Sequence, residues 1–121
     1  MCIRDSTSTL ADGRRLGWSE WGSPDGRPVL LCPGAATSRR LGLDDGAVRD
    51  LGVRLVSVDR PGLGASDPAP ERTLLSFADD VAELARLRGL AGLRAVGFSQ
   101  GAPFALACAA AGVVRLSLIQ I

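Results

Sequence analysis

The sequence predicts an α/β fold in which an N-terminal hairpin precedes a mostly parallel sheet with helices on both faces. Three continuous apolar runs support this fold class, and they alternate with segments of helical character: Pro28–Cys32, Val53–Val58 and Leu93–Phe98. Apolar runs of this length are typical of strands that are buried on both faces. Strands that alternate with helices favour parallel pairing with right-handed crossovers.

The hairpin is predicted between Leu10 and Trp21. Asp12 and Gly13 are turn-forming residues, and short strand-like stretches flank them. We expect Trp18 and Trp21 to pack the hairpin rather than to line a site. A polar, glycine-containing turn then leads into the first apolar run.

Two helices are predicted before the last apolar run. The first is a weakly patterned stretch over residues 44–51. The second, Ser76–Arg88, has apolar residues three and four positions apart and acidic residues on its other side. Ser76 and Asp79 predict a capping-box-like start, and Gly89 supplies the stop.

Composition restricts the classes of function. The chain has 121 residues, which suffice for one compact domain, and its 14 basic residues, all Arg, nearly balance 13 acidic ones. This balance favours neither a nucleic-acid partner nor an anionic membrane surface. No apolar run reaches the ~18 residues that a bilayer-spanning helix needs. The cysteine usage described next makes a reducing, cytoplasmic location the expected one.

The three cysteines indicate neither a disulfide framework nor a metal site. Cys2, Cys32 and Cys108 are odd in number, far apart and without a Cys-x-x-Cys pair. Cys32 lies in an apolar run and Cys108 in an apolar helix, where cysteine is usually a small core residue. We therefore predict no metal and no cofactor.

The sequence Gly97-Phe98-Ser99-Gln100-Gly101 is the motif that carries chemistry. It follows the third apolar run and opens an Ala-rich helix predicted over Gln100–Ala111, with Pro103 in the first turn. A serine on a sharp strand-to-helix turn is held in a strained conformation that exposes its hydroxyl, and the flanking glycines let strand and helix approach. The N–H of Gln100 would then face the oxygen that becomes negative during acyl transfer.

Together with Asp59-Arg60-Pro61-Gly62-Leu63-Gly64-Ala65-Ser66, this motif makes the chain resemble the α/β-hydrolase family from Thr9 to Arg115. The resemblance implies a partial α/β-hydrolase fold with Ser99 as the nucleophile. It also implies that the backbone N–H groups of Gln100 and Ala35 are the oxyanion donors, with Ala36 as the alternative to Ala35. The usual His-Gly of the oxyanion loop is replaced here by Pro33-Gly34.

Other residues near these motifs have structural interpretations. In the resembled family the catalytic acid and base follow the serine in the chain, so Asp59 and Asp67 are expected to form turns. Arg60 is expected to lock a loop through an ion pair rather than to contact substrate.

The catalytic base is missing from this sequence, because it contains no histidine. Serine needs a base to accept its proton and a third group to orient that base. The resembled family places its acid and its histidine beyond the position of Arg115. We therefore expect an N-terminal fragment of a serine hydrolase that is inactive by itself and whose parent acts on a small-molecule acyl substrate.

Residues 1–6 and 116–121 are expected to be adaptor-derived segments, and residues 7–115 the N-terminal portion of an α/β-hydrolase domain. The nucleotide strings obtained by reading the two ends back are nearly reverse complements and resemble the transposon ends used to prepare sequencing libraries. The alternative is a pair of ordinary termini. Residues 116–121 also suit a makeshift strand.

Two other functions stay open. A dinucleotide-binding domain would use Gly62-Leu63-Gly64, although Asp67 stands where that fingerprint needs a third glycine. A non-catalytic α/β-hydrolase-like scaffold is the other alternative. Dehalogenase and epoxide-hydrolase relatives are disfavoured, because they resemble this scaffold but need an aspartate in place of Ser99.

Overall fold

The sheet of this protein has six strands, in the order β1-β2-β4-β3-β5-β6. The structure, a computed structural model, describes residues 4–34 and 44–120. The elements are β1 (Arg4–Thr9), β2 (Arg15–Gly22), β3 (Arg27–Cys32), α1 (Asp45–Asp50), β4 (Val53–Val58), α2 (Leu74–Arg88), β5 (Arg94–Phe98), a 3₁₀ turn (Ser99–Gly101), α3 (Ala102–Ala110) and β6 (Arg115–Gln120).

The strand directions confirm the predicted hairpin and mostly parallel sheet. β1 and β2 are antiparallel, β2 is antiparallel to β4, and β3, β4, β5 and β6 run parallel to one another. The first arm of the hairpin lies further toward the N-terminus than predicted. The turn between the two strands spans residues 10–14. The N–H of Leu10 donates to the carbonyl of Arg14, and the Asp12 carboxylate accepts from the Arg14 N–H.

The C-terminal strand β6 pairs in parallel with β5, so these residues form a strand, as the sequence predicts. Its register runs from Arg94 opposite Arg115 to Phe98 opposite Gln120, with an irregularity between Ala95 and Val96. It therefore covers the edge that β5 would otherwise expose.

Two hydrophobic clusters lie on opposite faces of the sheet. The larger one packs α2 and α3 against the sheet and includes Trp18, while the smaller one lies under α1 and includes Trp21. Both tryptophans are thus packing residues, as predicted. In the described part of the chain, no helix is long and apolar enough to cross a membrane.

Helix α2 begins earlier than predicted and has a different cap. Thr73 is the N-cap: its hydroxyl accepts from the N–H of Ser76 at 3.0 Å, and the Ser76 hydroxyl accepts from the N–H of Thr73 at 2.7 Å. The predicted pairing of Ser76 with Asp79 is therefore wrong. The helix ends at Gly89 as predicted, with a left-handed φ of +67° that favours glycine.

Three chain segments meet at the carboxyl ends of the parallel strands. β3 is followed by Pro33-Gly34, β4 by the loop over residues 59–67, and β5 by the turn that contains Ser99. Ends of adjacent parallel strands are where open α/β sheets place their ligands. This edge is consequently the place to look for a site.

Candidate active site

Ser99 has a backbone conformation that L-residues rarely adopt. Its φ is +53°, and within the described segments it is the only residue other than glycine with a positive φ. Phe98 before it is extended, with φ −128° and ψ 126°, and a 3₁₀ turn begins at Ser99 itself. The serine is exposed beside a cavity of about 360 Å³ that Gln100, Pro103 and Leu106 also line. The predicted sharp turn that presents the hydroxyl is therefore present.

The two glycines of the motif allow the strand and the helix to meet. A Cβ atom on Gly97 would lie 2.9 Å from the Cβ of Ala105 in α3. A Cβ atom on Gly101 would overlap the backbone carbonyls of Cys32 and Pro33. The strand-to-helix turn over residues 97–101 is called the elbow. Any side chain at either glycine would force the elbow away from β3 or α3.

One of the two predicted oxyanion donors lies in the described structure. Gln100 is exposed in the first turn after β5, where backbone N–H groups have no acceptor within the helix. Ala35 and its alternative Ala36 lie outside the described residues. Gly34, directly before them, faces the elbow, since a Cβ atom built on it would come within 3.4 Å of the Cβ of Ser99.

Among the described residues, Arg60 bonds to carbonyl groups at the end of β3 rather than forming the predicted ion pair. Its Nη1 donates to the carbonyl of Pro33 at 3.0 Å, and its Nη2 donates to the carbonyl of Gly34 at 3.2 Å. The guanidinium also lies over the ring of Phe104, 4.6 Å from its centroid. Burial lowers the pKa of Arg60 from its ordinary value, although an arginine stays charged at any physiological pH.

An aromatic pair supports this arrangement and lines a second cavity. Phe104 of α3 contacts Phe77 of α2 edge to face, with 5.1 Å between the ring centroids. Both rings line a cavity of about 630 Å³ together with Arg60, Arg72 and Gln100. No sequence pattern indicates this group, because Phe77 has the helical spacing of an ordinary core residue and Phe104 lies in an Ala-rich stretch.

Asp59 organises the loop that follows β4. Its buried carboxylate accepts from the N–H of Ala65 at 2.8 Å, and its carbonyl accepts from the Ser66 hydroxyl at 2.6 Å. A side chain on Gly64 would collide with this carboxylate. Gly64 thus packs on Asp59 rather than facing a phosphate, and α2 begins only at Leu74. This geometry does not favour the dinucleotide-binding alternative, in which the glycine loop opens a helix.

Asp67 ties the same loop to β2. It accepts from the N–H of Arg15 at 2.8 Å and pairs with the Arg15 guanidinium at 3.1 Å. Hydrogen bonds from Arg15 lower the pKa of Asp67. Asp59 therefore bonds within the turn, as predicted, whereas the side chain of Asp67 joins the loop to β2 instead of forming a turn.

The two cysteines of the described residues are unreactive core residues. Cys32 and Cys108 are free thiols in the larger hydrophobic cluster. Burial raises the pKa of Cys32 to about 12 and that of Cys108 to about 11. Because the thiolate is the nucleophilic form, neither competes with Ser99 for that role.

The sequence and the fold are similar to those of known proteins. A sequence profile for a family described as alpha/beta hydrolase fold matches residues 27–114. A non-heme chloroperoxidase of Streptomyces lividans is 34% identical over 101 residues, which cover 78% of this chain and 35% of that protein.

Solved structures of an esterase and of an alpha/beta hydrolase superimpose on this chain as well. An esterase from Rhodococcus sp. ECU1013 superimposes with a TM-score of 0.70 and 29% identity, over 98% of this chain and 45% of that one. An alpha/beta hydrolase from Sphaerobacter thermophilus DSM 20745 superimposes with a TM-score of 0.71 and 28% identity, over 93% and 44%. This chain therefore spans about a third of the curated relative and less than half of each of these structures.

Proposed function

The chain belongs to the α/β-hydrolase fold family, and from this premise we propose that its parent protein is a serine hydrolase that cleaves an ester, amide or similar acyl bond. The observation that carries the proposal is the left-handed φ of +53° at Ser99. A strained, exposed serine between a strand and a helix has no structural purpose that glycine would not serve at lower cost. The strain is explained if the hydroxyl is the reacting group.

The reaction follows from the positions around Ser99. The hydroxyl oxygen attacks the carbonyl carbon of the substrate, and the carbonyl oxygen becomes negative. The N–H of Gln100 and that of Ala35, beyond Gly34, donate to this oxygen and stabilise the tetrahedral intermediate. The leaving group departs with a proton, and water then releases the acyl group from Ser99.

The proton of the Ser99 hydroxyl requires an acceptor that this sequence does not encode, since it has no histidine. We propose that a downstream histidine, oriented by a downstream Asp or Glu, is the base in the parent protein. The chain of 121 residues then has negligible hydrolase activity, because its serine stays protonated.

Hydrolysis of p-nitrophenyl esters tests the proposal. The full reading frame is recovered by sequencing past Arg115 at the source locus, and the parent, its Ser99→Ala variant and the 121-residue chain are assayed together. We expect activity in the parent, a loss of about 10⁴-fold or more in Ser99→Ala, and none in the short chain. An inactive parent would favour the non-catalytic scaffold, and an active short chain would contradict the proposed role of downstream residues.

A second candidate reaction is favoured by the similarity to a protein named non-heme chloroperoxidase. An acyl group on Ser99 can be attacked by hydrogen peroxide instead of water, which forms a peracid and frees the serine hydroxyl. A peracid then oxidises a halide ion by transfer of one oxygen atom. Peroxide-dependent bromination by the parent in acetate buffer, lost in Ser99→Ala, would support this candidate, and bromination that survives the substitution would contradict it.

A further inference from the structure

The candidate site continues into a second cavity beyond the elbow. This cavity, of about 630 Å³, is called the arginine cavity, and its lining includes Arg60, Arg72, Phe77, Gln100 and Phe104. Gln100 also lines the smaller cavity beside Ser99, so the two cavities adjoin. A volume of this size is typical of sites that hold small molecules. A substrate whose scissile bond lies at Ser99 can therefore extend into the arginine cavity.

The charged residues of the arginine cavity have one sign. Among the described residues that line it, Arg60 and Arg72 are positive and none is Asp or Glu. Residues 35–43 contain no Asp or Glu either. The net charge of the whole chain is only +1, so two arginines without a carboxylate concentrate positive charge at this place. A cleft lined by one sign of charge attracts ligands of the opposite sign.

Arg60 brings a half-buried charge into the cavity. Its guanidinium donates to the carbonyls of Pro33 and Gly34 and lies over the ring of Phe104, contacts that use two of its five N–H donors. Burial lowers the pKa of Arg60, which shows that these contacts do not fully replace the water that its charge has lost. Charges that are removed from water are usually paired, so an anion in the cavity would complete the surroundings of this guanidinium.

Arg72 adds a second guanidinium that is available to a ligand. It is exposed, and its backbone N–H donates to the carbonyl of Ala69 just before α2. Its side chain forms no hydrogen bond or ion pair with any of the described residues. The contacts that hold this part of the fold together therefore do not involve the charge of Arg72.

The remaining wall of the arginine cavity is mainly apolar. Phe77 and Phe104 contact each other edge to face, and Leu63 and Leu74 line the same cavity. Apolar side chains bind methylene and aromatic groups, because the contact removes both surfaces from water. They also lower the local dielectric constant, which strengthens the attraction between a guanidinium and an anion. The lining thus suits a ligand that combines an apolar stretch with an anionic end.

We propose that the arginine cavity binds the remote end of the acyl substrate, and that this end is a carboxylate held by Arg72 and Arg60. The inference rests on the proposed function of Ser99 and adds the substrate class, which is an ester or related acyl compound with a carboxylate several bonds from the scissile carbonyl. A planar guanidinium matches a carboxylate, since it donates two parallel hydrogen bonds to the two oxygens. Arg60 thereby contacts substrate, which differs from the purely structural role that the sequence predicts for it.

Matched pairs of esters test this proposal on the full-length parent. Mono-p-nitrophenyl adipate is compared with p-nitrophenyl hexanoate, whose acyl chain has as many carbon atoms but no charge. 4-Acetoxybenzoate is compared with its methyl ester, which moves the comparison to the alcohol side of the scissile bond. The proteins are the wild type, Arg72→Gln, Arg72→Glu and a control, Arg86→Gln. Arg86 is an exposed arginine in the last turn of α2 and is not among the described residues that line the arginine cavity.

The quantity compared is the ratio of kcat/KM for the charged ester to kcat/KM for its neutral partner. Both esters are assayed on one preparation, so the fraction of misfolded molecules cancels from the ratio. For at least one pair, we expect the ratio to fall about 3- to 10-fold in Arg72→Gln, as for the loss of one partly exposed charge pair. It should fall further in Arg72→Glu, where like charges repel, and it should stay at the wild-type value in Arg86→Gln. A fall confined to one pair identifies the side of the scissile bond that carries the carboxylate.

Three results would overturn the inference. One is a wild-type ratio in both Arg72 variants for both pairs of esters. Another is an equal fall in Arg86→Gln, which would indicate the charge of the whole protein rather than the cavity. The third is a wild type that prefers the neutral ester of both pairs by about tenfold or more, which would mean that later residues of the parent fill the cavity. A parent that hydrolyses none of the esters would refute the proposed function of Ser99 itself, and that outcome is visible before any variant is made.

Discussion

At the scale of single residues, the candidate site is defined by one unfavourable backbone conformation. A left-handed conformation costs a residue with a Cβ atom about 1–2 kcal/mol. Ser99 has this conformation without being glycine. Gly97 and Gly101, in the same turn, are glycines at positions where a side chain would collide with neighbouring atoms. The serine is therefore retained at the expense of stability, which is typical of functional residues.

Replacing Ser99 by glycine should stabilise the protein. Glycine adopts the φ of +53° without a Cβ clash, which raises the free energy of unfolding. The greater freedom of glycine in the unfolded chain offsets part of this increase. We expect Ser99→Gly to unfold with a free energy about 0.5–1 kcal/mol higher than Ser99→Ala, which lacks the hydroxyl but keeps the Cβ. Urea denaturation of the two variants measures this difference, and equal stabilities would mean that position 99 is not strained.

The pairing of Asp67 with Arg15 predicts a dependence of stability on pH. Hydrogen bonds lower the pKa of Asp67 in the folded state. Its contribution to stability is therefore complete above its pKa in the unfolded chain, about 3.9, and is lost as the pH falls through its lower pKa in the folded state. The melting temperature of the wild type should exceed that of Asp67→Asn near neutral pH.

This difference should shrink as the pH is lowered below the unfolded value of about 3.9. Asp25→Asn, which changes an exposed carboxylate in the turn after β2, serves as the control. A difference between wild type and Asp67→Asn that is constant down to the acid limit would show that the pair contributes nothing through ionisation.

At the scale of elements, the start of α2 shows where a sequence pattern misleads. A capping box is usually recognised by an acidic residue or glutamine at its third helical position, which points to Ser76 with Asp79. In the structure a second hydroxyl residue takes that place, since Ser76 returns the hydrogen bond to the Thr73 N–H. The two exposed leucines that follow Thr73 gave no helical signal.

Substitution of the two candidate caps distinguishes them. Thr73→Ala removes an acceptor for the first turn of α2 and should lower the free energy of unfolding by about 1 kcal/mol. Asp79→Ala, on an exposed face of the helix, should change it by less than about 0.5 kcal/mol. Chemical denaturation measures the free energy of unfolding of both variants. A larger loss in Asp79→Ala than in Thr73→Ala would contradict Thr73 as the cap of α2.

The junction between β5 and α3 depends on the absence of a side chain at Gly101. Its φ of −75° suits any residue, so the need for glycine comes entirely from its contact with the backbone of Cys32 and Pro33. Gly101→Ala should therefore cost about 3 kcal/mol or more, because backbone atoms cannot move aside as a side chain can.

Gly46→Ala is the matched control for this prediction. Gly46 lies in α1, and a Cβ atom there would meet only an Asp44 carboxylate oxygen at 3.4 Å. Alanine in a helix is favoured over glycine by up to about 1 kcal/mol, so this variant should be as stable as the wild type or more so. If Gly101→Ala were equally well tolerated, the close contact between the elbow and β3 would not exist.

At the scale of the whole molecule, most of the architecture could be predicted from the sequence. The three apolar runs became β3, β4 and β5, because strands buried on both faces have a continuous signal. β1 could not be predicted, since Arg4–Thr9 is wholly polar and pairs through its backbone with β2. A strand of this kind leaves no periodicity in the sequence.

The candidate site was predicted only in part. The elbow at Ser99 has a motif whose residue types follow from its geometry, so its place could be identified. The guanidinium of Arg60 and the ring of Phe104 come from separate segments of the chain, so no local sequence pattern predicts their contact. The sheet order explains why they meet, because β3 lies between β4 and β5.

The central claim is that the Ser99 hydroxyl is the nucleophile of a hydrolase whose base lies outside these 121 residues. The most direct test is to treat the full-length parent and the 121-residue chain with a fluorophosphonate and to locate the modified residue by mass spectrometry. The account predicts one label per parent molecule, on Ser99, and no label on the short chain under the same conditions. A label on another residue of the parent, or equally rapid labelling of the short chain, would contradict it.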